Sequence, residues 1–285
     1  MKSANEMIAE LAQVLKTTVN GRYALAVAGS HAKGMSDAAS DIDFFLYLED
    51  PKPVEERRAI IEAIADPGEG MWITPDFHDG AWGGSMDFRY HGTPIECTAK
   101  LLPEFDALVK RTMEGEFEII PADWTSNGYF TYICLPELDF IRPVDDPYGI
   151  IAGYQAMLEK YPPKLRRSIV ERFLGRSSPW LDSFHYTSAI GRADILFTGP
   201  IVQHLVLDAI QVIFALNEVY FTGDKKLARQ LAGLPYCPEG LLQELQFLLS
   251  APAESGALER QRQLLRGIYT ELRAKADEME KGLSD

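Results

Sequence analysis

The chain has 285 residues, of which 46% are hydrophobic and 25% charged, and carries a formal net charge of −14. That length can bury a substantial core in one large domain or two ordinary ones, and the composition excludes a disordered or fibrous chain. The charge is uneven: residues 1–146 hold 12 Lys and Arg against 26 Asp and Glu, while residues 147–285 hold 16 of each. An acidic field disfavours nucleic acid, whose binding rests on basic side chains neutralising phosphates. It suits a cationic small molecule, or serves solubility alone. Cys97, Cys134 and Cys237 are far apart with no CxxC pair, and the five histidines lack metal-ligand spacing, so neither a disulfide framework nor a zinc site is expected.

Residues 3–18 predict a helix, with Met7, Ile8, Leu11, Val14 and Leu15 at helical spacing. The segment carries acids and lacks the apolar centre of a signal peptide, so a cytoplasmic location is expected. Residues 22–28 and 42–48 predict strands, and the segment from Pro51 predicts a helix running to about Ala65. "MWITPDF" predicts a further strand. "SMDFRYHGTPIECTAKLL" predicts a hairpin turning at His91-Gly92, "PEFDALVKRTM" a helix and "GYFTYICL" another strand.

The pattern changes at "RPVDDPYGII". Asp146 before Pro147 is a helix-start signal, and the periodicity beyond it is helical. Breaks are expected at Pro162-Pro163, Ser177–Pro179, Gly199-Pro200, Gly223 and 233–238. The stretch from Ile201 to Phe221 is the most apolar, but its interspersed polar residues indicate a buried helix and not a membrane span. The expected organisation is an α/β (α+β) lobe with a mixed sheet over residues 1–146, followed by an all-helical lobe over 147–285, with a ligand cleft between them.

The chemistry centres on "AVAGSHAKGMSDAASDIDFFLYLED" (residues 26–50). Asp41 and Asp43 are two apart, so in a strand they share a face. They open an otherwise apolar run, where buried unpaired carboxylates are costly. A divalent cation between them removes the repulsion. Gly29 allows close backbone approach, Ser30 offers a hydroxyl and an N–H to phosphate, and Lys33 adds charge within the next turn or is simply solvated. Neither a Walker loop nor a Rossmann glycine turn is present. Metal-assisted nucleotidyl transfer calls for a third carboxylate to take a proton. Glu96, alone among apolar neighbours in "GTPIECTAK", is the first candidate, and Asp87 on the partner strand competes unless Arg89 pairs with it.

Gly29-Ser30, ten residues, then Asp41-Ile42-Asp43 resembles the G-S-x10-D-x-D signature of the DNA polymerase β-type nucleotidyltransferase superfamily, and Ser40 and Lys33 fit the pattern. "TPIECTAK" is similar to the strand bearing the third acid in streptomycin/spectinomycin adenylyltransferases. The two-lobe order resembles the aminoglycoside and lincosamide nucleotidyltransferases, and "FALNEVYFTGDKKL" resembles a helical segment of such relatives. The resemblance implies Mg²⁺ on Asp41, Asp43 and Glu96, with Glu96 as general base. It also implies ATP phosphates on Gly29, Ser30, Lys33 and Ser40, with Lys225 or Lys226 reaching the triphosphate. The implied reaction moves AMP from ATP to a hydroxyl of a small molecule, such as an antibiotic, with no nucleic-acid or membrane partner. Two readings compete: AMPylation of a partner protein, whose known enzymes are much shorter, and a non-catalytic nucleotide-binding protein. Asp182, His185 and Asp194 are candidate acceptor contacts, with capping or surface roles as the plain alternative. The basic cluster Lys164, Arg166, Arg167 and Arg172 is expected to be a solvated helix face. Oligomeric state is left open by the sequence.

Overall fold

In the computed structural model, residues 2–34, 36–37, 40–78, 83–122, 125, 127–223 and 226–282 are described. The chain forms two compact units: Met1–Thr112 with Phe117–Pro121 and Tyr129–Lys160, and Met113–Glu116 with Ala122–Gly128 and Tyr161–Asp285. The boundary expected after residue 146 falls inside the first unit, which keeps residues 147–160.

The first unit opens with helix α1 (Ala4–Leu15), started by a capping box in which Ser3 and Glu6 satisfy each other's backbone N–H groups. Strand β1 (Val19–Val27), the short helix α2 (Gly29–Ala32), strand β2 (Ile42–Pro51) and helix α3 (Val54–Glu62) follow. Strands β3 (Trp72–Ile73), β4 (Gly84–Tyr90) and β5 (Thr93–Leu101) come next, then helix α4 (Leu102–Met113). The unit continues through the β6 (Ile119–Ile120) and β7 (Tyr129–Phe130) ladder, helix α5 (Cys134–Phe140), strand β8 (Arg142–Asp145) and helix α6 (Ile150–Met157).

Six strands form one mixed sheet in the order β3-β4-β5-β2-β1-β8, with β2 and β5 the parallel pair. The β4–β5 turn is the expected one: His91 and Gly92 both take positive φ, and their N–H groups donate to Asp66 at 2.9 and 2.7 Å. Alternation along the strands separates two faces. One packs Leu25, Ile42, Phe44, Leu46, Met86, Ile95 and Cys97 against Leu11 and Leu15 of α1. Burying each such aliphatic side chain contributes about 1.5–3 kcal/mol.

On the other face, burial within the first unit is deepest toward the far end. There Tyr47, fully buried, packs on Phe105 and Tyr154 with ring centroids 5.0 and 6.2 Å away, and Tyr154 donates to Asp106. This packing ties residues 147–160 into the first unit. Lys100 and Glu137 form an ion pair beside it, with side chains only 5% and 9% exposed. The near end of this face is left for Asp43 and Glu96.

Several sequence expectations are corrected. "GYFTYICL" gives only the two-residue β7 before a 3-10 turn and α5, because Pro136 falls in the first helical turn, where its missing N–H is not needed. "MWITPDF" is strand only at Trp72–Ile73; the carbonyls of Thr74 and Pro75 accept instead from the buried Arg57 guanidinium. Strand β8 has no counterpart among the expected elements. Asp146 does cap a helix, accepting from Ile150 and Ile151 at 2.7 and 3.0 Å, but α6 begins only after Gly149.

The second unit contains helices α7 (Pro163–Leu181), α8 (Phe184–Gly191), α9 (Ile195–Leu216), α10 (Leu227–Ala232), α11 (Leu241–Ser250) and α12 (Ser255–Lys281). Two expected breaks do not occur. Pro179 sits in the last turns of α7, where Arg273 donates to the Leu174 carbonyl at 2.9 Å and Arg262 to that of Leu181 at 2.9 Å. Pro200 lies early in α9, and the carbonyl it leaves unbonded belongs to the exposed Leu196. Helix α9 is long and apolar enough to cross a membrane, but it is mostly buried as the core helix of this unit. The basic cluster is a solvated face at Lys164, Arg167 and Arg172, all exposed, with Lys164 and Arg167 pairing at the surface with Glu114 and Glu280; Arg166 departs from it, being buried and paired with Glu218.

Candidate active site

The parallel pairing of β2 and β5 sets Asp43 directly beside Glu96. Asp41 precedes β2 by one residue, and carboxylate oxygens of Asp41, Asp43 and Glu96 all lie within 4.8 Å of one another. Asp41 and Asp43 are half-buried and Glu96 is exposed. Three carboxylates this close repel one another unless a cation or protons intervene.

The turn into α2 closes the site on its other side. Ala28 is extended and donates to the Asp43 carbonyl at 2.8 Å. Gly29 then takes φ +56°, and a Cβ there would run into the Asp43 carboxylate. Glycine is required here twice, for the left-handed backbone and for the close approach. The next residue, Ser30, holds a hydroxyl oxygen buried from solvent with no hydrogen-bond partner. A buried hydroxyl without a partner is costly and marks a place where a ligand can complete the bonding.

The remaining sequence candidates have plainer surroundings. Lys33 sets its amine 4.8 Å from the Phe140 ring centroid. Ser40 accepts from the Asp37 N–H at 2.9 Å and donates to the Asp37 carboxylate at 3.1 Å, which closes the loop ahead of Asp41. Lys225 lies outside the described residues. In the second unit, Asp182 pairs with Arg266 and Asp194 caps α9 by accepting from Phe197 at 3.3 Å, the plain roles expected of them.

Asp87 is the lateral neighbour of Glu96 on β4, yet the close carboxylate trio among the described residues takes Glu96. Burial raises the Asp87 pKa, against hydrogen bonds with the Ser85 side chain and the Cys97 backbone. Arg89 does not serve as its partner; its side chain reaches Glu69 at 3.8 Å and the Gly92 carbonyl at 2.6 Å.

Four of the site residues, Gly29, Ser30, Asp41 and Asp43, lie within residues 8–80, which match the family model described as "Nucleotidyltransferase domain". No curated protein matches the chain. Among solved structures, a nucleotidyltransferase-like protein from Exiguobacterium sibiricum is 10% identical, with 94% of this chain and 75% of that one covered at a TM-score of 0.49. A tRNA-processing enzyme in an apo form is 14% identical, with 99% and 81% covered at a TM-score of 0.31. At these values neither structure informs the chemistry of this chain. The matched segment is similar to a nucleotidyltransferase domain, and it carries the glycine turn and two of the three carboxylates of the site.

Proposed function

We propose that the protein transfers a nucleoside monophosphate, AMP from ATP, to a hydroxyl of a small molecule and releases pyrophosphate. The observation that carries this reading is the convergence of Asp41, Asp43 and Glu96 beside a glycine turn whose next residue has an unsatisfied buried hydroxyl. An all-carboxylate oxygen set fits a hard divalent ion such as Mg²⁺ better than a softer metal. When bound, such an ion supplies charge neutralisation at the phosphates and lowers the pKa of a bound hydroxyl.

Each residue then has a definite task. Asp41 and Asp43 hold the cation side of the nucleotide, and Glu96 takes the proton from the acceptor hydroxyl as its oxygen bonds to the α-phosphorus. The bond from that phosphorus to the bridging oxygen breaks, and pyrophosphate leaves toward Gly29 and Ser30. Ser30 donates its hydroxyl to a phosphate oxygen, and Ser40 shapes the loop that delivers Asp41. Lys33 and Lys225 are candidate phosphate contacts. Reactions of this kind depend mostly on positioning and charge compensation, which a rigid pair of adjacent strands provides.

The acidic first half supports a cationic acceptor, so aminoglycosides and, as a more apolar contrast, lincosamides are the first compounds to assay. The decisive experiment is pyrophosphate release from Mg²⁺-ATP across such compounds, with Asp43→Asn as control. Labelling of a polypeptide in place of any small molecule would favour protein AMPylation. Mg²⁺-dependent ATP binding without turnover on either class would favour a nucleotide-binding regulator.

A further inference from the structure

The row of side chains that contains Asp43 and Glu96 continues outward across the sheet. Glu96 pairs with Asp87 on β4, and Asp87 pairs with Trp72 on β3. Lateral partners point to the same face, and Ile73, Met86 and Phe88 fill the opposite, core face. One face therefore presents Asp43, Glu96, Asp87 and Trp72 in line. At about 4.8 Å per strand, Trp72 stands about 10 Å from Glu96 and about 14 Å from Asp43.

Trp72 has no evident structural duty, and Asp87 keeps its carboxylate partly open beyond its hydrogen bonds with the Ser85 side chain and the Cys97 backbone. Trp72 is 65% exposed on a two-residue edge strand, whereas most of a tryptophan's value to a fold comes from burial. Asp87 is half-buried, and the one basic residue near it along β4, Arg89, is engaged elsewhere. The direction of the reaction gives them a use. In an in-line displacement the entering hydroxyl and the departing pyrophosphate lie on opposite sides of the phosphorus. With Gly29 and Ser30 on one side of Asp43, the acceptor enters from the Glu96 side, and the rest of its body extends over Asp87 and Trp72.

Resting on the nucleotidyl-transfer reading, we propose that Trp72 and Asp87 select the acceptor: one ring stacks on Trp72, an N–H or O–H donor binds Asp87, and the reacting hydroxyl thereby reaches Glu96. The acceptor this arrangement takes is an elongated compound of two or more linked rings. It spans about 10 Å between the reacting hydroxyl and a terminal ring with an apolar or cationic face, and carries a donor between them. Both residues are positioning groups and leave the chemistry to Glu96.

The test uses the full chain with Mg²⁺-ATP and four probes: kanamycin, streptomycin, spectinomycin and lincomycin. For a probe that stimulates pyrophosphate release, Trp72→Ala and Asp87→Ala are each expected to raise KM for the probe at least tenfold. Changes in kcat should stay below threefold, Trp72→Phe should return KM to within threefold of the original, and Mg²⁺-ATP affinity should hold in every variant. An unchanged KM in both alanine variants overturns the proposal while leaving the reaction standing. Full release in Asp43→Asn overturns the underlying reaction instead. If no probe stimulates release, the four are titrated calorimetrically in the presence of Mg²⁺-ATP, and finding none whose binding Trp72→Ala weakens also overturns the proposal.

Discussion

Replacing Gly29 by alanine isolates the contact on which the site's geometry depends. Two costs arise. An L-residue held at φ +56° loses about 1–2 kcal/mol relative to glycine. The new Cβ also collides with the Asp43 carboxylate, and driving that side chain about 30° from its rotamer costs about 0.5–1.5 kcal/mol more. Gly34→Ala separates the two, because Gly34 has φ +65° but a Cβ there would meet no atom of the described residues within 4 Å, so it carries the backbone cost alone. Thermal unfolding should therefore show Gly29→Ala less stable than Gly34→Ala by roughly 1 kcal/mol, or about 2–4 °C for a chain of this size. Adding Asp43→Ala to Gly29→Ala should recover that increment. Activity should fall further than stability, by about a hundredfold, since a displacement near 1 Å at a reacting centre costs that much. Equal stability of the two alanine variants, with pyrophosphate release in Gly29→Ala within threefold of the original, would refute the close contact and the role assigned to it.

Two further predictions concern buried charge. Breaking the Lys100–Glu137 pair with Lys100→Met should destabilise the first unit by about 3–5 kcal/mol, whereas Lys100→Met with Glu137→Leu should recover most of the loss, as read from denaturant midpoints. Asp208 on α9 is 4% exposed, 3.4 Å from Arg176 and 3.8 Å from His204, with Arg172 and Tyr269 also facing it. Burial pushes its pKa up to about 7 from 3.8, against the pull of Arg176 and Arg172. A carboxyl whose folded pKa is raised stabilises the fold while protonated. Its contribution is complete below about pH 4 and is lost as pH rises to about 7, to an extent on the order of 4 kcal/mol. Asp208→Asn should flatten that part of the stability–pH curve; a curve unchanged by the substitution would contradict the assignment.

Much of the site can be read from the sequence because its parts are local. The spacing of Asp41 and Asp43 fixes a shared face, and a lone Glu96 in an apolar strand implies a reason for its charge. Juxtapositions across strands are harder. That Asp43 sits beside Glu96 depends on β2 pairing in parallel with β5, and that Trp72 joins the row depends on two further registers. Periodicity along one strand carries no information about its neighbour. The elements that depart from expectation have local reasons of their own. The aromatic run at 128–135 has strand-like residues, yet burial of Tyr129, Phe130 and Tyr132 is achieved through a turn and a helix. The prolines at 179 and 200 suggest breaks that helix-end positions tolerate. The carbonyls taken by Arg57 and Arg273 come from segments distant in sequence, so no local pattern announces them.

The central claim is that Asp41, Asp43 and Glu96 act together on a metal-bound nucleotide. It is tested most directly by following pyrophosphate release from ATP with the compounds above, with and without Mg²⁺, in the original protein and in Asp43→Asn. The account predicts acceptor-stimulated release that requires Mg²⁺ and falls at least a hundredfold in Asp43→Asn, with the circular dichroism spectrum unchanged. Release that persists undiminished in Asp43→Asn, or that is indifferent to Mg²⁺, would contradict it.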